Sequence, residues 1–156
     1  SFCLKMEGIM DKFRFFWAAM DLCDWSKEGS DDKVLAPVID YLSRQDDSVI
    51  YHFDDLMSEL LYHLDTKKLW IQCEKSEPLA SDDTFLYSRC TALINGPNYY
   101  EKARRGRAKA MWDKEFEALL YVPSRAWAKK HHRDPSDYDH FPPFSIETGS
   151  NRDAWT

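Results

Sequence analysis

Hydrophobic residues recur at helical spacing along most of this chain. Spacings of three and four residues place apolar side chains on one face of a helix. The clearest pattern comprises Ile50, Phe53, Met57, Leu60 and Leu64, with Asp46 or Asp47 as its N-cap. Two earlier stripes have the same period: Phe13, Phe16, Trp17 and Met20, then Val34, Leu35, Val38, Ile39 and Leu42. These segments predict three α-helices.

Cap and turn residues predict where the helices begin and end. Gly29 is typical of a helix C-terminus and predicts the end of the first helix, and Ser30-Asp31-Asp32 then offers the next N-cap. In the second helix, Pro37 is expected in an early turn or at the true start, because it lacks an N–H. Ser81 predicts the N-cap of a helix that ends at Ile94, before Asn-Gly-Pro.

The C-terminal half is predicted to contain shorter elements. We expect a helix over 66–74, a loop over 75–80, and one or two turns around Tyr99, Tyr100 and Ala103. A last helix is predicted over 109–130, kinked or split by Pro123. From Asp134 the helical period disappears, and acidic, aromatic and proline residues alternate. Such a tail either crosses the domain, held by its rings, or stays mobile until bound.

The predicted fold is therefore all-α: a single compact multi-helix domain with an acidic, aromatic C-terminal tail. At 156 residues the chain fits one domain, and its five glycines and seven prolines leave few turns for an all-β fold. We assign an N-terminal extension to residues 1–10, the helical domain to 11–133 and the tail to 134–156. Residues 1–5 are expected to be an upstream remnant, because Met6 and Met10 both precede the first helix.

Charge is sorted along the chain. Residues 28–65 contain ten Asp or Glu and two Lys or Arg, whereas residues 102–133 contain ten Lys or Arg and three Asp or Glu. The tail has a net charge of −4 and the whole chain −6. Separated charges favour surfaces shaped for partners, and the overall negative charge argues against a general nucleic-acid binder. The basic cluster at 102–109 either contacts phosphates or is a solvated linker matched by the acidic helices. We favour the linker.

The third predicted helix has a polar face that combines carboxylates with tyrosines. Its residues are Tyr51, Asp54, Asp55, Ser58 and Tyr62. This face is either an ordinary solvated surface or a docking surface for a basic partner.

The sequence contains no recognisable catalytic or metal-binding signature. The sequence has no nucleophile elbow, zinc-protease motif, dinucleotide fingerprint or phosphate loop. Its histidines have no metal-ligand spacing, and its four cysteines, Cys3, Cys23, Cys73 and Cys90, are expected to be reduced thiols. We therefore expect no cofactor, no metal and no enzymatic activity. No apolar run approaches the roughly 20 residues of a membrane span, so no membrane contact and a cytoplasmic location are expected.

One stretch resembles a known bacterial family, the domain of unknown function family 4240. The similarity is carried by Ser81-Asp82-Asp83-x-Phe85-x-Tyr87-x-Arg89, with Gly96 and Tyr100 after it, and by Phe16-Trp17 and Leu69-Trp70 before it. It covers about residues 11–130. The resemblance implies a helical protein encoded beside secreted antibacterial toxins, where a small cytoplasmic partner protects the producing cell.

The resulting hypothesis is an immunity protein that binds a cognate toxin and occludes its active site. The toxin is expected to have a basic cleft that handles NAD, nucleotides or nucleic acid, while direct nucleic-acid binding is not expected. The candidate contacts are Tyr51, Asp54, Asp55, Ser58, Tyr62, Asp82, Asp83, Asp137, Tyr138 and Asp139. For Ser81, Asp82 and Asp83, N-capping is the favoured role over ligand contact. The alternatives are an enzyme that reverses the toxin's modification, a nucleotide- or RNA-binding regulatory module that uses the basic cluster, and an adaptor.

Overall fold

This computed structural model describes residues 11–156, which contain seven α-helices and five short 3-10 segments. The α-helices are α1 (Arg14–Met20), α2 (Asp31–Ser43), α3 (Asp47–His63), α4 (Lys67–Ser76), α5 (Asp82–Ile94), α6 (Gly96–Arg104) and α7 (Val122–His131). The 3-10 segments are Trp25–Lys27, Lys109–Asp113, Glu117–Tyr121, Pro135–Asp137 and Arg152–Ala154. No strand occurs within these residues. The predicted all-α single domain is confirmed.

The starts of α4 and α5 follow directly from their capping residues. The Thr66 side chain accepts a hydrogen bond from the Leu69 amide, and the Ser81 side chain accepts one from the Thr84 amide. Thr84 Oγ1 in turn accepts from the Ser81 amide, which completes a capping box. The predicted helix between Ser81 and Ile94 is confirmed, and α6 begins at Gly96, within the Asn-Gly-Pro stop.

Three predicted features of the helices differ in the structure. The first helix ends at Met20 instead of at Gly29, because Asp24 caps a separate 3-10 turn at Trp25–Lys27. Pro37 lies inside α2, and not in its first turn or at its start. The missing hydrogen bond is tolerated because Val34, Leu35, Val38 and Ile39 remain buried on both sides of the proline.

The predicted helix over 109–130 is also wrong. Two 3-10 segments precede α7, and Lys114 between them is extended, with φ −121° and ψ 150°. The Phe116 amide donates to the Tyr87 carbonyl at 3.0 Å, so this backbone bonds to α5 instead of continuing a helix. Pro123 falls in the first turn of α7, where its missing N–H costs little.

Helix α3 lies in the core. Its residues Ile50, Phe53, Met57 and Leu60 are all fully or almost fully buried, as the spacing predicted, and so is Leu64 directly after it. Phe53 contacts Phe16 of α1 with ring centroids 5.1 Å apart. The Tyr100 hydroxyl of α6 donates to the Leu60 carbonyl at 2.7 Å. These contacts hold α1 and α6 against the same central helix.

The acidic and basic segments of the sequence pair with each other. Helix α7 packs more extensively against α2 than any other two elements pack. Across their surface Arg125 pairs with Asp32 at 2.9 Å and Lys129 with Asp40 at 3.1 Å. Asp47, the first residue of α3, lies 2.8 Å from Lys130, and His131 also contacts it. Much of the charge sorting is thus internal complementarity and does not by itself indicate a partner.

Across residues 11–156, none of the helices combines the length and apolar character needed to cross a membrane.

Candidate functional site

The C-terminal tail lies across the polar face of α3. The Tyr138 hydroxyl donates to Asp54 Oδ2 at 2.8 Å, and His140 Nε2 lies 2.7 Å from Asp55 Oδ1. The His140 ring stacks on Tyr51 with centroids 4.5 Å apart. Of the two arrangements considered for the tail, the structure shows the one in which its rings hold it across the domain.

This contact brings together most of the predicted site residues, but it covers some of them. Asp54 is only 7% exposed and Ser58 only 2%. Tyr51, Asp55 and Tyr62 are partly exposed, and Tyr62 packs against Phe144 of the tail. In this arrangement Asp54 and Ser58 are covered, whereas Tyr51, Asp55 and Tyr62 keep part of the polar face of α3 accessible.

Burial changes the acidity of the groups in this contact. Desolvation raises the pKa of Asp54 above its usual value, although the hydrogen bond from Tyr138 acts in the opposite direction. Desolvation, followed by the charge of Asp54, raises the pKa of the Tyr138 phenol. The hydroxyl therefore remains a hydrogen-bond donor at every physiological pH.

Two buried charged residues anchor the rest of the tail. Asp65, at the end of α3, is fully buried and accepts hydrogen bonds from the amides of Gly149 and Asn151 at 2.9 and 3.0 Å. The Trp155 indole also donates to Asp65 Oδ1 at 2.9 Å. These donors stabilise a buried carboxylate whose desolvation would otherwise be costly.

Arg89 of α5 is the second buried charged residue that anchors the tail. It is fully buried and donates to the Leu61 carbonyl at 2.9 Å and to the Ile146 carbonyl at 3.1 Å. A third bond reaches Thr148 Oγ1, and the guanidinium lies 4.7 Å from the ring centroid of Phe85. Burial lowers the pKa of Arg89, with Asp65 acting in the opposite direction. The anchoring role of Arg89 was not predicted from the sequence, although a single arginine among the apolar residues of α5 was a usable signal.

A second acidic surface remains open. It consists of the exposed carboxylates Glu77, Asp82, Asp83, Asp113, Glu115 and Glu117, which we call the α5 acidic surface. Among residues 11–156 none of these six carboxylates has an ion-pair partner; the Tyr121 hydroxyl donates to Glu117 at 2.9 Å. Desolvation and the charges of Asp83 and Glu117 raise the pKa of Tyr87 to about 12.

Exposed apolar groups accompany these carboxylates. Leu79 is 96% exposed and lines a shallow cavity together with Glu77, Asp113 and Glu115. Tyr121 is 48% exposed. Of the predicted contacts, Asp82 and Asp83 belong to this surface, whereas Asp137, Tyr138 and Asp139 lie in the tail, with only Tyr138 bonded to α3.

The basic cluster at 102–109 is partly fixed by the rest of the fold. Arg104 makes a bidentate pair with the buried Glu101 of its own helix, at 2.6 and 2.9 Å. Gln72 donates to the Gly106 carbonyl, and a Cβ at Gly106 would lie 2.8 Å from Gln72 Nε2. Lys102, Arg105, Arg107 and Lys109 are exposed. The Arg104 pairing is therefore within α6, and not with the acidic helices as predicted for the cluster.

Within the described residues no three His, Cys, Asp or Glu side chains form a group that could hold a metal ion. Cys23, Cys73 and Cys90 are free thiols, and Cys3 lies outside the described residues. Burial raises the pKa of Cys90 to about 12, which disfavours its reactive thiolate.

The fold and these surfaces define a small all-α protein with an internally bound C-terminal tail and an open acidic face. The sequence profile of a family described as Protein of unknown function (DUF4240) matches residues 10–129, and the chain belongs to this family. The match ends before the tail, so the residues that cover α3 lie outside the matched part. Searches of curated proteins and of solved structures found no match.

Proposed function

We propose that this protein is an immunity protein that binds a cognate toxin and occludes its active site through the α5 acidic surface. The observation that supports this is the contrast between the two acidic regions. Asp32, Asp40 and Asp47 have basic partners within the chain, whereas the carboxylates near Asp82 and Asp83 have none among residues 11–156. Unpaired carboxylates favour encounter with a basic cleft.

Leu79 and Tyr121 are the expected anchors of this interface. An aromatic or aliphatic anchor at the centre of an interface contributes about 2 kcal/mol or more, whereas charges at the rim mainly set association rate and salt dependence. Leu79 has almost no contact with its own domain, so its exposure has no structural role that we can identify. The surface thus combines steering charges with apolar side chains.

Growth rescue tests this proposal. The open reading frame immediately upstream in the source genome is expressed with and without this protein, survivors are counted, and the mixture is run on a sizing column. Rescue with a one-to-one complex is expected. Rescue without a complex would favour an enzyme that reverses the damage, and a harmless neighbour would overturn the immunity proposal.

Two substitutions locate the interface. Leu79→Ala and Asp83→Lys are each expected to weaken the complex, the first through dissociation rate and the second through association rate. Phe141→Ala is the control for Leu79, because Phe141 is also largely exposed but lies in the tail. Asp21→Lys repeats the charge reversal at an exposed residue outside the surface. Equal effects of a variant and its control would remove the α5 acidic surface from the interface.

A further inference from the structure

A cavity opens beside the 3-10 turn at Trp25–Lys27. Its volume is about 340 Å³, within the range of small-molecule sites. The turn forms one wall, the start of α2 a second, and the C-terminal half of α5 a third, with residues 114–116 closing the rim. The feature is distinct from the tail contact on α3.

The inner side of this cavity is apolar and aromatic. Val34 and Ile94 are buried and line it. Trp25 is 43% exposed, and its ring lies edge-on to Phe116 with centroids 6.2 Å apart. An exposed indole that is held by a neighbouring ring offers a fixed π-face to a ligand.

Carboxylates surround the opening. Glu28, Asp31 and Glu115 line the cavity, and among residues 11–156 none of their side chains has a hydrogen bond or an ion pair. Lys114 is the one cation among the lining residues. Desolvation, followed by the charge of Asp32, raises the pKa of Asp31. A bound cation would offset the desolvation of the Asp31 carboxylate and its repulsion by Asp32.

Thr91 of α5 also lines the cavity. The residue is only 4% exposed, and its Oγ1 has no hydrogen-bond partner within the described part of the chain. Buried hydroxyl groups normally have a partner, because leaving one unpaired is costly. The oxygen itself has almost no accessible surface, so it lies behind the cavity wall and is not a ligand contact.

We propose that this cavity binds an organic cation, an ammonium group on a short aliphatic stem. The ammonium group pairs with Glu28 and Asp31 and lies over the Trp25 ring, while the stem packs on Val34 and Ile94. Carboxylates combined with an aromatic face select a cation over a neutral molecule of the same shape. The proposal does not rest on the proposed toxin binding, because the ligand contacts Trp25, Glu28 and Asp31 lie outside the α5 acidic surface; Glu115 belongs to both regions.

The probe is 1,4-diaminobutane, with 1,4-butanediol as the neutral analogue of the same carbon chain. The full-length protein is labelled with 5-fluorotryptophan and followed by fluorine NMR, and Trp25→Phe identifies the Trp25 signal among six. The diamine is expected to shift this signal saturably and the diol is not. Unchanged signals from the other five tryptophans report an intact fold.

Paired neutralising variants decide whether the carboxylates form a site. Glu28→Gln with Asp31→Asn should weaken diamine binding about tenfold, as expected for the loss of two charged contacts beside a ring. Asp82→Asn with Asp83→Asn has the same charge change and should leave affinity unchanged. Equal loss in both variants, an equal response to the diol, or no saturable shift would each overturn the proposal.

Discussion

Tyr138 and Asp54 lie 84 residues apart in the sequence and are joined by a hydrogen bond of 2.8 Å. The phenol comes from the tail, and the carboxylate comes from a helix face that would otherwise be open to water. The bond explains why a negative charge is tolerated at a position that is only 7% exposed. It also makes Asp54 unsuitable for testing partner binding, because its substitution would disturb the tail.

Removing this hydroxyl should destabilise the protein. Tyr138→Phe is expected to lower the free energy of unfolding by about 1–3 kcal/mol, because a buried carboxylate loses a donor. Chemical denaturation measures the change. Tyr121→Phe is the matched control, since its hydroxyl bonds to Glu117 on the surface and its loss should cost well under about 1 kcal/mol. Equal losses of unfolding free energy in the two variants would show that the Tyr138 bond contributes no more than a surface hydrogen bond.

The same variant should change the acidity of Asp54. In the native protein the bond from Tyr138 lowers the pKa of Asp54, while burial raises it more strongly. Without the bond, the pKa should rise further. Carbon-13 NMR titration of the carboxyl group measures this directly, and a pKa that falls in Tyr138→Phe would mean that the tail has detached and exposed Asp54.

Arg89→Lys should be strongly destabilising, by about 3 kcal/mol or more. A lysine ammonium cannot replace the planar guanidinium that reaches Leu61, Ile146 and Thr148 together. We expect faster proteolytic cleavage within 141–151 as well as a lower unfolding midpoint. Arg125→Lys, at a partly exposed ion pair, should change stability by less than about 1 kcal/mol. Similar results for both variants would contradict the anchoring role of Arg89.

Stability should fall in acid through the pairs between α7 and the acidic helices. A hydrogen bond from Lys129 lowers the pKa of Asp40, and one from Lys130 lowers that of Asp47. A carboxylate with a lowered pKa stabilises the folded state above its unfolded pKa of about 4, and this stabilisation is lost as pH falls through the folded value. Asp54 makes the opposite contribution to the pH dependence of stability: its pKa is raised, so its ionisation destabilises the folded state.

Unfolding midpoints measured from pH 7 to pH 2 test this dependence. The variant Asp47→Asn should lose part of the decline below about pH 4, since it has no carboxylate to protonate there. Asp54→Asn should not reduce that decline. A wild-type midpoint that stays constant down to pH 2 would show that the surface pairs do not contribute.

Two serines at N-cap positions should differ in their effects. Ser81→Ala should cost about 1 kcal/mol, because the side chain accepts from the Thr84 amide. Ser30 occupies the same position before α2 but makes no side-chain cap bond, so Ser30→Ala should cost less. Denaturation of the two variants in parallel checks this order, and an equal or larger loss at Ser30 would contradict it.

Local features were predictable, and distant contacts were not. The helix that contains Phe53 follows from apolar spacing, and the start of the helix that contains Phe85 follows from its capping box; both involve neighbours within a few residues. The error over 109–121 arose because a backbone bond from Phe116 to Tyr87 outweighs helical spacing. Spacing likewise gave no indication that Arg89 and Asp65 would hold the tail, because their partners lie more than 50 residues away.

The candidate site shows the same division. The pattern on α3 identified Tyr51, Asp54 and Asp55 as unusual polar residues, but their partners are in the tail instead of in solvent. Asp82 and Asp83 were identified by their motif and are exposed as first-turn acids should be. Leu79 and Trp25 were not predicted as site residues from the sequence, because an exposed apolar side chain is recognised only when its surroundings are known.

The distance along the chain between paired segments has a consequence for synthesis. The acidic helices α2 and α3 leave the ribosome well before α7 and the tail, which hold their ionic and hydrogen-bond partners 83 to 93 residues later. Until then the acidic residues of α2 and α3 lack these partners, and net charge of one sign favours solubility of the nascent chain. The contacts that Asp65 and Arg89 make with residues 146–155 likewise cannot form before that segment has been synthesised.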